Sequence, residues 1–185
     1  MVQIAWMLCE EDGSLVDEQS HIIYPDGFII PSNVALIHGI TTARAIKEGE
    51  SLPDVLGWFT KAAAQSELVI GHNIEFDRGV IAAEYCRLKQ NAHFHTLTYF
   101  CTMKKTAEFC KLPYPSGRKG NKWPKLSELH QTLFSCSFEN AHDALIDVQA
   151  CARCYFEMKR RGLFELEKPP ELIEKPVKKK GKKKQ

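Results

Sequence analysis

An α/β domain is the fold class this sequence predicts, and three observations lead to it. Apolar runs of strand length alternate with amphipathic stretches in the order strand, strand, helix, strand, helix, strand, helix. The 185 residues are 44% hydrophobic, enough to bury one well-packed core. The last helical stretch also carries an apolar stripe of 3.6-residue period, made by Ala141, Ala144, Leu145, Val148, Cys151, Ala152, Tyr155 and Met158.

Residues 2–9 are apolar on both faces, as a strand in a covered sheet requires. Asp12-Gly13 signals a hairpin, and Leu15 to Tyr24 returns as a second strand that Pro25-Asp26-Gly27 ends. Ser32 can cap a short helix stopped by Gly39, and Thr41 or Thr42 can cap another stopped by Gly49. Pro53 opens a helix whose inward face is Val55, Leu56, Phe59 and Ala63. Leu68 to Gly71 reads as a short buried strand. A helix follows from about Glu75 to Lys89, with Phe76, Val80, Ala83 and Leu88 near one side. His95 to Met103 is a weaker strand, 113–124 is a loop rich in Pro, Gly and Lys, and Leu126, Leu129 and Leu133 mark a short helix. The last helix runs roughly from Ala141 to Arg161. The expected domain is 1–168, followed by a Pro- and Lys-rich tail at 169–185.

Charged residues make up 26% of the chain, which excludes a collagen-like or wholly disordered protein. No apolar run reaches the ~18–20 residues that span a bilayer, and no signal peptide is evident, so a soluble cytoplasmic protein without a membrane partner is expected. From Lys175 onward there are seven Lys and no acid, leaving 18 basic against 23 acidic residues before it. A body of that sign does not hold nucleic acid by bulk charge, though it can carry a local acidic site that metal neutralises. The seven cysteines read as reduced thiols. Cys151-x-x-Cys154 lacks a second ligand pair for zinc and falls inside the last helix, so ordinary helix residues are expected there.

Two segments carry polar groups that packing alone does not call for. His72-Asn73-Ile74-Glu75-Phe76-Asp77 lies at a strand-to-helix junction, and the carboxyl ends of strands are where open α/β sheets bind ligands. Asp77 alone is also explained as an acid complementing a helix dipole. His142-Asp143-Ala144-Leu145-Ile146-Asp147 opens the last helix, where Asn140 or Asp143 can serve as a cap. Asp147 lies at the edge of the buried stripe, so it needs a partner or a metal. His142, at the looser helix end, can be a general base.

Taken together, these segments resemble the DEDDh-type 3′–5′ exonucleases, in particular the epsilon-like proofreading subunits of bacterial DNA polymerase III. The matching stretches are His72-Asn73-x-x-Phe76-Asp77, His142-x-x-x-x-Asp147 with Val148-Gln149-Ala150, Ile37-His38-Gly39-Ile40-Thr41, and Pro124-Lys125-Leu126-Ser127-Glu128-Leu129. The resemblance covers residues 2 to about 162. It implies a ribonuclease H-like mixed sheet flanked by helices and a site for two divalent ions, Mg²⁺ or Mn²⁺ by the hardness of the ligands. It further implies that Asp77 and Asp147 are metal ligands and that His142 deprotonates the attacking water. Asn73 and Phe76 would shape the substrate pocket, with His38 and His72 near the terminal nucleotide. The implied partners are a single-stranded DNA 3′ end and a DNA polymerase subunit.

The family's first motif, Asp-x-Glu on a strand before the one at 2–9, has no counterpart here. The expected sheet therefore lacks its first, central strand, the expected domain is N-terminally incomplete, and activity is impaired. A non-catalytic module on the same fold, holding a DNA end or a polymerase, is the competing reading. Two surface features are left over. Arg118-Lys119-Gly120-Asn121-Lys122-Trp123 combines charge with an aromatic group, as a strand-tracking loop would. The Lys tail can add phosphate affinity or serve only as a solvated end. Gln131 to Phe134 loosely resembles a sliding-clamp-binding peptide, but Leu129 and Leu133 read better as a core face.

Overall fold

The computed structural model describes residues 1–90, 97–138 and 143–165. Strand β1 (Gln3–Cys9) pairs antiparallel with β2 (Leu15–Ile22). The hairpin turns at Gly13, whose φ of 94° suits glycine, and the Asp12 carboxylate accepts the Ser14 backbone N–H at 2.9 Å. A Cβ at Gly13 would stand 3.2 Å from the Phe156 ring, so a side chain there would also press on that ring.

Three helices follow, α1 (Ser32–His38), α2 (Thr42–Glu48) and α3 (Leu52–Ala63). Thr41 caps α2 by accepting the Arg44 N–H at 3.1 Å. At α1 the expected Ser32 cap is not used. Pro31 occupies the cap position and Ser32 is already helical, because the fixed proline φ sets the extended entry. Helix α3 buries Val55, Leu56 and Ala63, and its Phe59 meets Trp6 of β1 edge-on, with centroids 5.6 Å apart.

Strand β3 (Leu68–Gly71) leads into α4 (Ile74–Arg87) and pairs in parallel with β4 (Thr98–Cys101). The buried face of α4 differs from the expected one: Ile74, Glu84 and Tyr85 turn inward, while Phe76 is exposed. Apolar spacing misled here because Glu84 lies inside, held by Arg87 at 2.9 Å and by the Met1 amino group. After β4 the chain coils into α5 (Thr102–Lys105) and α6 (Ala107–Cys110), where the strand expected to reach Met103 stops two residues early. Thr106 closes this turn by donating its hydroxyl to the Thr102 carbonyl at 2.7 Å.

Helices α7 (Leu126–Phe134) and α8 (Ala144–Arg160) complete the domain. Leu129 and Leu133 of α7 are fully inside and pack with Phe100, Cys154, Tyr155 and Met158, which makes this the main core. Their burial explains the Gln131–Phe134 stretch, each such side chain contributing about 1.5–3 kcal/mol. Helix α8 begins later than its stripe suggested. Asp143 takes an extended backbone and accepts the Leu145 and Ile146 N–H groups at 2.9 and 3.4 Å, so the helix proper starts at Ala144. The tail at 169–185 lies outside the described residues.

The architecture is mixed α/β, with two small sheets flanked by helices. Helix α8 packs against both β1 and β3. Among the described residues each sheet has two strands, and no strand joins β1 to β3. Nor is any described helix long and apolar enough to cross a membrane.

Candidate active site

The site begins where β3 ends. Gly71 closes the strand tightly against α4: a Cβ there would lie 2.6 Å from the Ile74 Cδ1 and 3.2 Å from its Cβ. Asn73 then turns the chain with φ 70° and ψ 42°, a left-handed conformation that Asn tolerates better than most residues, and its carbonyl accepts the Phe76 N–H at 2.8 Å. This sharp turn puts His72, Asn73, Phe76 and Asp77 around one junction.

His72 acts as a clasp. Its Nε2 donates to the Pro124 carbonyl at 2.9 Å, and its Nδ1 lies 3.0 Å from the Thr102 hydroxyl. Burial lowers the affinity of the ring for a second proton, so His72 is held as the neutral Nε2–H tautomer and Nδ1 accepts from Thr102. The hydroxyl is in turn 3.9 Å from the Cys151 sulfur. Because β3 and β4 run in parallel with Gly71 opposite Cys101, His72 and Thr102 leave the sheet side by side.

Asp77 stands in the first turn of α4, beside Glu75. The residue is exposed to solvent, yet the protein around its carboxyl desolvates it enough to push it up to about 6, and its own backbone hydrogen bond offsets only part of that shift. Asp147 stands in the first turn of α8, half-buried, with its N–H on the Asp143 carbonyl at 3.0 Å. Cys151 lies one helical turn beyond Asp147. That thiol is pushed up to about 12, first by burial and further by the charges of Asp77, Cys101 and Asp147. Both carboxylates are therefore within electrostatic reach of one sulfur.

His38 belongs to a separate element, at the end of α1. Its Nδ1 accepts the Ile40 N–H at 3.1 Å, which places the ring hydrogen on Nε2, and that buried atom has no partner among the described residues. Asn73 and Phe76 are exposed. His142 lies outside the described residues.

Asp77 and Asp147 offer hard oxygen donors, the type that suits Mg²⁺ or Mn²⁺. A desolvated acid near 6 is a group that a bound cation would return to its charged form. The donor type fits. The donor number does not complete a cage, since among the described residues no group of three or more His, Cys, Asp or Glu side chains can hold an ion.

Sequence reasoning missed Thr102 altogether, read Cys151 as an ordinary helix residue and gave Pro124 no contact with His72. Two signals pointed to them: Cys151 follows Asp147 at i+4 on the same helix face, and Thr102 follows the carboxyl end of a parallel strand.

The exonuclease family model of the RNase T type matches residues 1–155. No curated protein matches the chain in sequence. Several solved structures share its fold. Exonuclease I aligns at TM-score 0.71 and 19% identity, over 88% of this chain and 38% of that one. E. coli exonuclease I in complex with a dT13 oligonucleotide aligns at TM-score 0.71 and 18% identity, over 86% of this chain and 37% of that one. A product-bound exonuclease I aligns at TM-score 0.70 and 16% identity, over 88% of this chain and 40% of that one. The chain thus spans well under half the length of the structures it matches. The match over residues 1–155 and the shared ribonuclease H-like fold lead to one conclusion: the chain belongs to the RNase T exonuclease family, of the DEDD type.

Proposed function

We propose that the chain is a 3′–5′ exonuclease domain acting on single-stranded DNA, with Asp77 and Asp147 as ligands of Mg²⁺ or Mn²⁺ and His142 as general base. The observation that carries this reading is the link between the two helix starts through Thr102, whose hydroxyl lies 3.0 Å from His72, five residues before Asp77, and 3.9 Å from Cys151, one turn beyond Asp147. Divalent ions held by Asp77 and Asp147 would supply charge stabilisation for phosphodiester hydrolysis. His142 would take the proton of the attacking water. His38 and His72 would lie near the terminal nucleotide, with His72 and Asn73 positioning the junction that presents Phe76 to it. Two carboxylates hold ions weakly, so the reaction of this chain is expected to be slow. The epsilon-like kinship, with a proofreading or repair role beside a polymerase subunit in the cytoplasm, rests on the motif resemblance alone.

The test combines metal binding with cleavage. Mn²⁺ should raise the melting temperature of the chain, and Asp77→Asn or Asp147→Asn should abolish that rise. With Mn²⁺, mononucleotides should leave a single strand from its 3′ end. His142→Ala should slow release by about 10²–10⁴-fold with little effect on affinity. Release that survives Asp147→Asn, or that starts at the 5′ end, overturns the assignment. Ion and strand binding without any release would instead support the non-catalytic module.

A further inference from the structure

We propose that Trp123 is a stacking platform for an unpaired base of the single strand, and that the segment around it is the basic track for that strand's phosphates. This deepens the functional reading above and rests on its choice of single-stranded DNA as substrate.

The first observation is charge. Residues 101–125 contain seven Lys or Arg and a single Glu, although residues 1–174 as a whole are acidic. Lys104 and Lys122 are engaged, with Glu75 at 3.6 Å and Glu128 at 2.6 Å. Among the described residues no carboxylate pairs with Lys111, Arg118 or Lys119. Arg118 lies instead over the Tyr114 ring, 5.1 Å from its centroid, which leaves its charge uncancelled. Positive charge concentrated in one segment of an otherwise acidic chain matches a polyanionic partner.

The second observation is the placement of the indole. Trp123 is 58% exposed, whereas its neighbour Pro124 is fully buried. The chain is pinned on both sides of it: the Lys122 N–H donates to the Leu112 carbonyl at 2.8 Å, and the Pro124 carbonyl accepts from His72 at 2.9 Å. A large ring on a fixed backbone, turned to water, gains nothing for the fold by its exposure. It does form a preorganised face. Through His72 that face is tied to the junction carrying Asp77 and the equally exposed Phe76, at 66%. Every base has a π-face, so such a platform tolerates any sequence but requires an unpaired base. Trp123 would therefore favour single strands over duplex.

The experiment uses the full chain without divalent cation, so that binding is read independently of cleavage. The probe is a fluorescein-labelled dT oligonucleotide of about a dozen nucleotides, within the usual site size. Trp123→Ala should weaken binding about five- to a hundredfold, the loss of one stacked base. Trp123→Phe should keep most of the affinity, which also shows that the loop still folds. Affinity for a blunt duplex of the same length should not change. Lys119→Glu should flatten the salt dependence on the single strand. Equal affinities for wild type, Trp123→Phe and Trp123→Ala overturn the platform and leave the indole for a protein partner. An equal loss on duplex and single strand overturns it as well. Failure of Asp77 or Asp147 to support cleavage would not change these binding results.

Discussion

The ring of His72 spans two parts of the chain 52 residues apart, its Nε2 donating to the Pro124 carbonyl at 2.9 Å while Nδ1 faces the Thr102 hydroxyl. The clasp needs the neutral ring, since a proton on Nδ1 would turn an acceptor into a second donor. Its folded pKa lies below the unfolded value of 6.5 because burial disfavours the charge. The unfolded chain therefore takes up the proton first, and stability falls as pH drops below about 6.5 toward the lower folded value. His72→Gln keeps one donor and one acceptor without a titrating group. Its melting temperature should fall less than that of wild type between pH 7 and pH 5.

Asp77 titrates with the opposite sign. Its folded pKa is raised to about 6 by desolvation, so the folded state pays for the charge once the unfolded carboxyl has ionised. The penalty is absent at low pH, grows as pH rises from about 4 to 6, and is complete above that. In EDTA, Asp77→Asn should melt above wild type at pH 7.5 and close to it near pH 4. A variant that melts lower at pH 7.5 would show that the charge is welcome in the metal-free fold.

Asp143 and Asp147 share one helical turn but have separate tasks. Asp143 accepts two N–H groups at the start of α8, so Asp143→Ala should cost about 1 kcal/mol in urea unfolding. The same substitution should affect cleavage far less than His142→Ala. Equal damage to the rate from both would move the base assignment from His142 to Asp143.

Thiol labelling should separate the cysteines by their surroundings. Cys86 and Cys136 are exposed and should react with a maleimide at once. Cys151 and Cys154 are buried with thiols pushed up to about 12, so they should react only when denaturant opens the domain. Rapid labelling of Cys151 in the native chain would mean that its surroundings are open to water.

The sequence made the elements legible where one physical signal dominated. The stripe of α8, the turn at Asp12-Gly13 and the Pro-led α3 all appear within a few residues of where periodicity and turn chemistry place them. It was less legible where two signals competed. Apolar spacing put Phe76 on the inner face of α4, but an ion-paired Glu84 occupies that side. Ser32 has the chemistry of a cap, but Pro31 had already set the backbone. In the site, Asp77 and Asp147 stood out because polar groups at helix starts beside apolar stripes need an explanation. The clasp through Thr102 and Pro124 did not, because its partners lie 30 and 52 residues from His72 and no local pattern pairs them.

Helix α8 carries Asp147 in its first turn, Cys151 one turn further on, and Tyr155 and Met158 in the main core, while Lys159 reaches the hairpin by donating to the Glu11 carbonyl at 2.9 Å. One helix of 17 residues thus links Asp147 to the main core and to the β1–β2 hairpin. Unfolding of α8 would therefore release Asp147 and the core together, so this half of the candidate site and the core form a single cooperative unit. Amide protons along α8 should exchange as one slow block, and heat should take binding and fold away at the same temperature.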